Sequence, residues 1–438
     1  MASKDRPPFE ADIEALSHDG RGIARVDGKV WFIDGALPGE HVIARGLKGR
    51  RNYGIGVLEV IAQPSEQREE PRCKVFGICG GCALQHLNYK AQLDFKAQVI
   101  KDAFFKSRIT ELPDLERISA EPWHYRRRAR LGVRYVPQKG GVLVGFRERN
   151  KSYVTPLTEC PVIAPQVDRL LPHLAPLIEG LSIRDRLPQI EIAVGENATA
   201  LVFRHLEPLS SEDLVNLQHF SGAHGVQVLT QSKGPETILP LAGSAHDPLE
   251  YRLPDFDIRM QFTPTSFIQI NADINAALVS RVMNWLELDA DDQVLDLFCG
   301  LGNFALAAAR RALRVVGVEG ESNLVTQAAE NATRNGLVNA QFECRDLFDD
   351  SVSTWSPGPF SKVIVDPPRS GAMEALKSVA SRIRPKMIAY VSCNPATLAR
   401  DAEYLVNQGG YRISRMAMAD MFPHTAHVET IALFERMA

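Results

Sequence analysis

Two patterns of apolar residues divide this chain. From Phe9 to about Pro64, short alternating runs are separated by Asp19-Gly20, Asp27-Gly28, Asp34-Gly35 and Pro38-Gly39 and end in the run Gly56–Ile61. Alternation punctuated by turn dipeptides predicts a small β-barrel. From Gln293 onward the apolar runs are unbroken: Gln293–Leu297, Arg314–Glu319, Ala340–Cys344, Lys362–Asp366 and Ile388–Val391, at intervals of roughly 20–30 residues. Runs apolar on both faces predict buried parallel strands, with crossover helices between them, so this region reads as a doubly wound α/β sheet. A helix over Ala272–Trp285 leads into it. Between the two regimes, Tyr89, Leu93, Val99, Ile100, Ala103 and Phe104 recur at near-helical spacing within 88–106, which predicts a core-facing helix. Gln189–Val194, Ala200–Phe203 and Val226–Gln231 then predict strands of a β-rich section. The expected domains are a barrel over 1–64, a β-rich central domain over 65–258 and the doubly wound domain over 259–438.

Composition adds class and compartment. At 438 residues, 45% hydrophobic and 24% charged, the chain is expected to be a soluble globular protein of about three domains. The polar start, Met1 to Pro8, has no apolar leader core, and no run approaches the roughly 18 apolar residues a membrane span needs. A cytoplasmic monomer acting away from membranes is expected. Net charge is −3, so any nucleic-acid footprint must be local. Two local footprints exist. Arg45, Lys48, Arg50 and Arg51 fall within seven residues of an otherwise charge-balanced barrel. From Trp123 to Lys151, nine basic residues (among them Arg126, Arg128 and Arg130) face Glu148 alone, interleaved with Trp123, Tyr125, Tyr135 and Phe146. Basic side chains among aromatics suit single-stranded RNA, through phosphate neutralisation and base stacking; a solvated strand face is the alternative.

Candidate chemistry sits in four places. Cys73, Cys79 and Cys82, with Gly80-Gly81 between the last two, and the distant Cys160 before Pro161 offer four thiolates for zinc or an iron–sulfur cluster. The absence of a second Cys-x-x-Cys pair favours [4Fe–4S]. The strand Gln293–Leu297 runs into Phe298-Cys299-Gly300-Leu301-Gly302-Asn303, a turn that lets backbone approach a ligand closely and that suits S-adenosylmethionine better than a dinucleotide. Glu319 ends the next strand, where a carboxylate can take ribose hydroxyls, and Asp346 ends the third. Asp366-Pro-Pro-Arg369 ends the fourth. The fifth ends at Ser392-Cys393-Asn394-Pro395, which presents a thiol at the ligand-binding edge of the sheet. Beside such a thiol, Glu429, entering a last strand over Thr430–Phe434, is a candidate base.

Cys-x5-Cys-Gly-Gly-Cys, Phe267-Ile-Gln-Ile-Asn271, the Gly-rich turn, Asp-Pro-Pro-Arg, Ser-Cys-Asn-Pro and His427-Val-Glu429 together resemble the RNA uracil-C5 methyltransferase family over essentially the whole chain. The first segment resembles a TRAM domain, and TRAM with a cysteine cluster points to members acting on 23S ribosomal RNA. Transfer RNA or another ribosomal uridine is the alternative. The resemblance implies S-adenosylmethionine at Gln269, Phe298, Asn303, Glu319, Asp346 and Asp366, a [4Fe–4S] cluster on Cys73, Cys79, Cys82 and Cys160, Cys393 as nucleophile, Glu429 as proton-abstracting base and Phe267 near the target base. A thiol with an ordinary value near 8.5 must ionise to attack, so the strand-end site is expected to stabilise the thiolate.

Overall fold

Alternation in the first sixty residues does close a small sheet. The computed structural model describes residues 7–241, 246–349, 355 and 358–437; the polar start at residues 1–6 and the side chain of Lys48 lie outside that set. The chain forms two compact units, one made of residues 1–99, 146–155 and 422–427, the other of 100–145, 156–421 and 428–438.

In the first unit, six strands follow the order Phe9–Asp12, His41–Gly49, Tyr53–Gln63, Lys29–Asp34, Gly22–Val26 and Ala15–Leu16. Their inward residues, Ala11, Ala24, Ile33, Val42 and Ala44, are buried, and the Phe9 and Trp31 rings lie 4.5 Å apart. Gly54 is required: a β-carbon there would stand 2.5 Å from the Trp31 ring. The cysteine loop after this sheet turns tightly, with Phe76 N donating to the Cys73 carbonyl at 3.0 Å and Cys79 N to the Val75 carbonyl at 2.9 Å. The helix Tyr89–Lys106 follows, and its Gln92 and Lys96 hold the distant loop 422–427. Lys96 Nζ donates to the Phe422 carbonyl at 2.9 Å, and His424 N donates to Gln92 Oε1 at 3.0 Å.

The second unit contains the β-rich section and the doubly wound sheet. Strand Arg128–Val136 pairs antiparallel with Gln189–Val194, which pairs antiparallel with Thr199–Arg204, and Gln227–Gln231 runs parallel to the last. A hairpin, Leu249–Leu253 with Ile258–Phe262, comes next. The eight-stranded sheet has the order Ala340–Cys344, Arg314–Glu319, Gln293–Leu297, Lys362–Val365, Met387–Ser392, Glu429–Arg436, Tyr411–Ala419 and Leu115–Ile118. Its first five strands are parallel; Glu429–Arg436 is antiparallel to both neighbours, and Leu115–Ile118 closes the edge parallel to Tyr411–Ala419. Val294, Leu295, Val315, Val363, Ile364, Ile388 and Val391 are fully buried, as unbroken runs require. Among the described residues, no helix is long and apolar enough to cross a membrane.

Candidate active site

The Gly-rich turn is built from three left-handed residues. Phe298, Gly300 and Gly302 have φ of 63°, 54° and 90°. Phe298 pays a steric cost that glycine avoids, and it turns the chain sharply out of the strand. Gly302 is tight, since a β-carbon would meet Leu306 at 3.1 Å. The turn is tied to the next strand by Glu319. Its Oε2 accepts from Gly300 N at 3.1 Å, while Oε1 accepts from Gly320 N at 2.7 Å and Glu321 N at 3.2 Å. Asp346 is exposed, its Oδ1 takes the Phe348 amide at 2.9 Å, and the Phe348 ring lies 5.5 Å from that of Phe298.

Asn303 is held by side chains that motif reading did not single out. Its Oδ1 accepts from Tyr251 Oη at 3.0 Å and from Asn275 Nδ2 at 3.1 Å, and its Nδ2 donates to Asn275 Oδ1 at 2.9 Å. The buried Arg127 guanidinium stacks 4.6 Å over the Tyr251 ring, and its Nε donates to the Gln269 carbonyl at 2.8 Å. Gln269 and Asn303 are therefore joined through Arg127 and Tyr251. The amide pair and the cation–π stack are contacts between residues far apart in the chain.

Below the turn, Asp296 is fully buried, and neither of its oxygens closes a hydrogen bond of good geometry; the Ala305 amide offers only a weak one. Burial first, then the charges of Asp366 and Glu319, raise its carboxyl well above the ordinary range. Burial likewise raises Asp366 to about 7. The three carboxyls thus lie close enough to raise the most buried of them, which has no hydrogen bond of good geometry.

Cys393 follows strand Met387–Ser392, and Glu429 opens the antiparallel strand beside it. Ser392 pairs with Thr430 on the last rung of that ladder, and Cys393 and Glu429 each lie one residue beyond it. Glu429 is 4% exposed. Burial and the neighbouring Asp366 raise it well above the usual carboxylate range, against the opposing charge of Arg369. The expected thiolate stabilisation does not hold in this site. Burial and then Glu429 push the Cys393 thiol up to about 11, Asp366 adding to the rise, although Arg369 opposes it by charge and by a hydrogen bond to the sulfur.

The other expected residues are placed less centrally. Phe267 is 70% exposed, in the loop between Phe262 and Asn271. Arg126 Nε donates to the Arg128 carbonyl, Arg128 donates to the Ser266 carbonyl, and Arg130 pairs with Glu191 Oε1 at 2.7 Å, so much of this basic strand also anchors structure. At the cysteine loop, Cys79 is buried, and the Gly81 amide lies 3.4 Å from Cys79 Sγ, an N–H···S bond of the kind a thiolate ligand accepts. Among the described residues, no three His, Cys, Asp or Glu side chains gather in metal-ligand geometry.

A parallel sheet with a Gly-rich turn, an acid at the end of the second strand and a cysteine beside a buried carboxylate defines a nucleotide-binding methyltransferase fold. The comparisons make this particular. The chain belongs to the tRNA (Uracil-5-)-methyltransferase family, whose model matches residues 88–346 and 356–437, and a TRAM domain matches residues 8–58. It is 48% identical over 430 residues to the 23S rRNA (uracil(1939)-C(5))-methyltransferase RlmD of Aromatoleum aromaticum, covering 97% of this chain and 99% of that one. To the protein of the same name from Azoarcus sp. it is 49% identical over 429 residues, with the same coverage of each chain. Among solved structures, the Pyrococcus abyssi tRNA (uracil-54, C5)-methyltransferase in complex with S-adenosyl-L-homocysteine superposes with a TM-score of 0.75 at 25% identity, covering 97% of this chain and 100% of that one.

Proposed function

We propose that this protein methylates C5 of a uridine in 23S ribosomal RNA, the uridine 1939 named for its relatives, using S-adenosylmethionine. The observation that carries the reading is that Cys393 directly follows, and the buried Glu429 opens, two paired antiparallel strands, with Asp366 close to both. Asp296, Asp366 and Glu319 suit a ligand bearing a sulfonium and an ammonium; Glu319 has lone pairs left for ribose hydroxyls, and Phe298, Asn303, Gln269 and Asp346 frame the rest. Such a ligand supplies an electrophilic methyl group.

The protein's part follows from uracil chemistry. C5 is too weak a nucleophile to attack the sulfonium unaided. Cys393 loses its proton to water, its sulfur forms a bond to C6, and the C5–C6 π electrons shift to give an enolate. That enolate is nucleophilic at C5 and takes the methyl group. Glu429 then removes the C5 proton; the C–H electrons re-form the C5–C6 double bond as the C6–S bond breaks and returns its pair to sulfur. Raised by burial, Glu429 is a strong base once ionised. The target base must leave its stack to reach this edge, and the exposed Phe267 is a face for it to stack on.

The cysteine set is carried as part of the same reading. Four sulfur donors, one already accepting an amide N–H, suit an iron–sulfur cluster better than a hard cation, and Cys73, Cys79, Cys82 and Cys160 would hold it. Iron and sulfide analysis of anaerobically purified protein checks this, with C73S expected to lose both. Transfer of labelled methyl to unmodified 23S ribosomal RNA and to unmodified tRNA tests the whole reading. One C5-methylated uridine in the ribosomal RNA, lost in C393A, is expected. Label on tRNA alone would overturn the substrate, and full activity of C393A would overturn the covalent route.

A further inference from the structure

Two buried nitrogens at the start of one helix have no role in the steps above. Among the described residues, neither Arg127 Nη2 nor Asn271 Nδ2 has a hydrogen-bond partner, although the two residues are only 6% and 2% exposed. Both are fixed by their other atoms. The Arg127 amide donates to the Ile270 carbonyl at 3.0 Å and its Nε to the Gln269 carbonyl at 2.8 Å, so the guanidinium is fastened to the two residues before Asn271. Asn271 Oδ1 takes the Ile274 amide at 3.3 Å and caps the helix Ala272–Leu286. One turn into that helix, Asn275 pairs with Asn303, whose Oδ1 also takes the hydroxyl of Tyr251, the ring under the Arg127 guanidinium. This closed circuit of contacts puts the two orphaned donors, the helix N-terminus and Asn303 in one place. Burying a donor without an acceptor is unfavourable, and more so for a cation. Among the described residues no carboxylate forms an ion pair with Arg127; Glu196 and Asp273 act on it by charge from further off. The helix N-terminus adds its own partial positive charge, so each of these features favours an anion.

We propose that Arg127 Nη2 and Asn271 Nδ2, at the N-terminus of this helix, receive the α-carboxylate of S-adenosylmethionine. The inference rests on the cofactor reading above. That ligand carries a single anionic group beside its sulfonium, its ammonium and its ribose hydroxyls. Asp296, Asp366 and Glu319 suit the cationic and hydroxyl groups and repel the carboxylate, which therefore needs a different wall. The circuit supplies one beside Gln269 and Asn303, the residues read above as framing the cofactor. Arginine suits the place because it stays charged and its planar donors match a carboxylate. Tyr251 gains a role in the same arrangement: its hydroxyl holds Asn303 while its ring supports the face of the guanidinium.

The test is calorimetric titration of the full-length protein with S-adenosylhomocysteine and with its decarboxylated analogue, which keeps the amine and loses only the carboxylate. It needs neither RNA nor turnover. Wild type is expected to bind S-adenosylhomocysteine about 10–100-fold tighter than the analogue. In R127M that preference is expected to fall to about threefold or less, with the affinity for the analogue little changed. N271S keeps an oxygen to cap the helix and removes the amide donor. Its preference is expected to lie between those of R127M and wild type, and it serves if R127M does not fold. No preference in wild type, or a variant that weakens both ligands equally and so keeps the wild-type preference, overturns the proposal; the donors then hold a buried water and the cluster only packs. Wild-type protein that does not bind S-adenosylhomocysteine overturns the cofactor reading beneath it, and the two failures are separate because the first is scored as a ratio between two ligands.

Discussion

Changing Glu429 to Gln should convert turnover into a trap. The substitution keeps the side chain's size at a position 4% exposed, at the start of the strand that pairs with the one leading into Cys393. Burial and Asp366 raise the Glu429 carboxyl well above the usual range, which favours its neutral form, and a neutral amide resembles that form. Addition and methyl transfer should therefore run near the wild-type rate. Removal of the C5 proton loses its base, and a positioned general base is worth about 10²–10⁴ in rate, or about 2.7–5.5 kcal/mol of barrier. Elimination slows by that factor, so RNA should accumulate as a methylated covalent adduct through Cys393. The assay is a denaturing gel of end-labelled RNA with S-adenosylmethionine, where the variant should show a slow-migrating band that the C393A/E429Q double variant lacks. If E429Q forms no adduct and completes a single turnover within about threefold of wild type, Glu429 is not the base and the argument fails.

Two further outcomes follow from the same geometry. Cys393 is held up to about 11 and Glu429 above the usual carboxylate range, and both must lose a proton during turnover, so single-turnover kcat/KM should climb from pH 6 to pH 9; a flat profile would refute the requirement. Under the sheet, Lys362 Nζ meets Asp292 Oδ2 at 2.6 Å, both side chains less than a tenth exposed. K362M should cost about 3–5 kcal/mol by leaving a buried charge alone, while K362M/D292L should recover most of the loss in urea unfolding; equal instability of the two variants would refute the pairing argument.

Much of the sheet was legible because burial on both faces leaves unbroken apolar runs. Arg314–Glu319 and Ala340–Cys344 form the strands read from their sequences, and the helix Ala272–Leu286 extends the expected one by a single residue. The edge strand Leu115–Ile118 was not legible: Leu-Glu-Arg-Ile has two charged residues at its centre, and its partner lies just over three hundred positions away. In the site, cysteine, Glu319 and the Gly-rich turn stand at strand ends, where local pattern reaches. Tyr251 on Asn303, Arg127 on Gln269 and Arg369 on Cys393 do not, because each joins residues 24 or more apart whose types alone are ordinary. The thiol's environment was misjudged for the same reason. A strand end suggests an open, polar site, whereas burial and an acid brought in by the final strand raise it.

That final strand also sets when the enzyme can exist. Glu429–Arg436 is made after every other strand, and the edge strand Leu115–Ile118 must wait for Tyr411–Ala419 before it has a partner. At about 5–20 residues per second, roughly 15–60 s of synthesis separate the two edge partners. Through that interval the growing chain can carry the Gly-rich turn and, near its end, the cysteine, but no base. On the reading proposed above, activity begins only when the strand Glu429–Arg436 slots in beside Cys393.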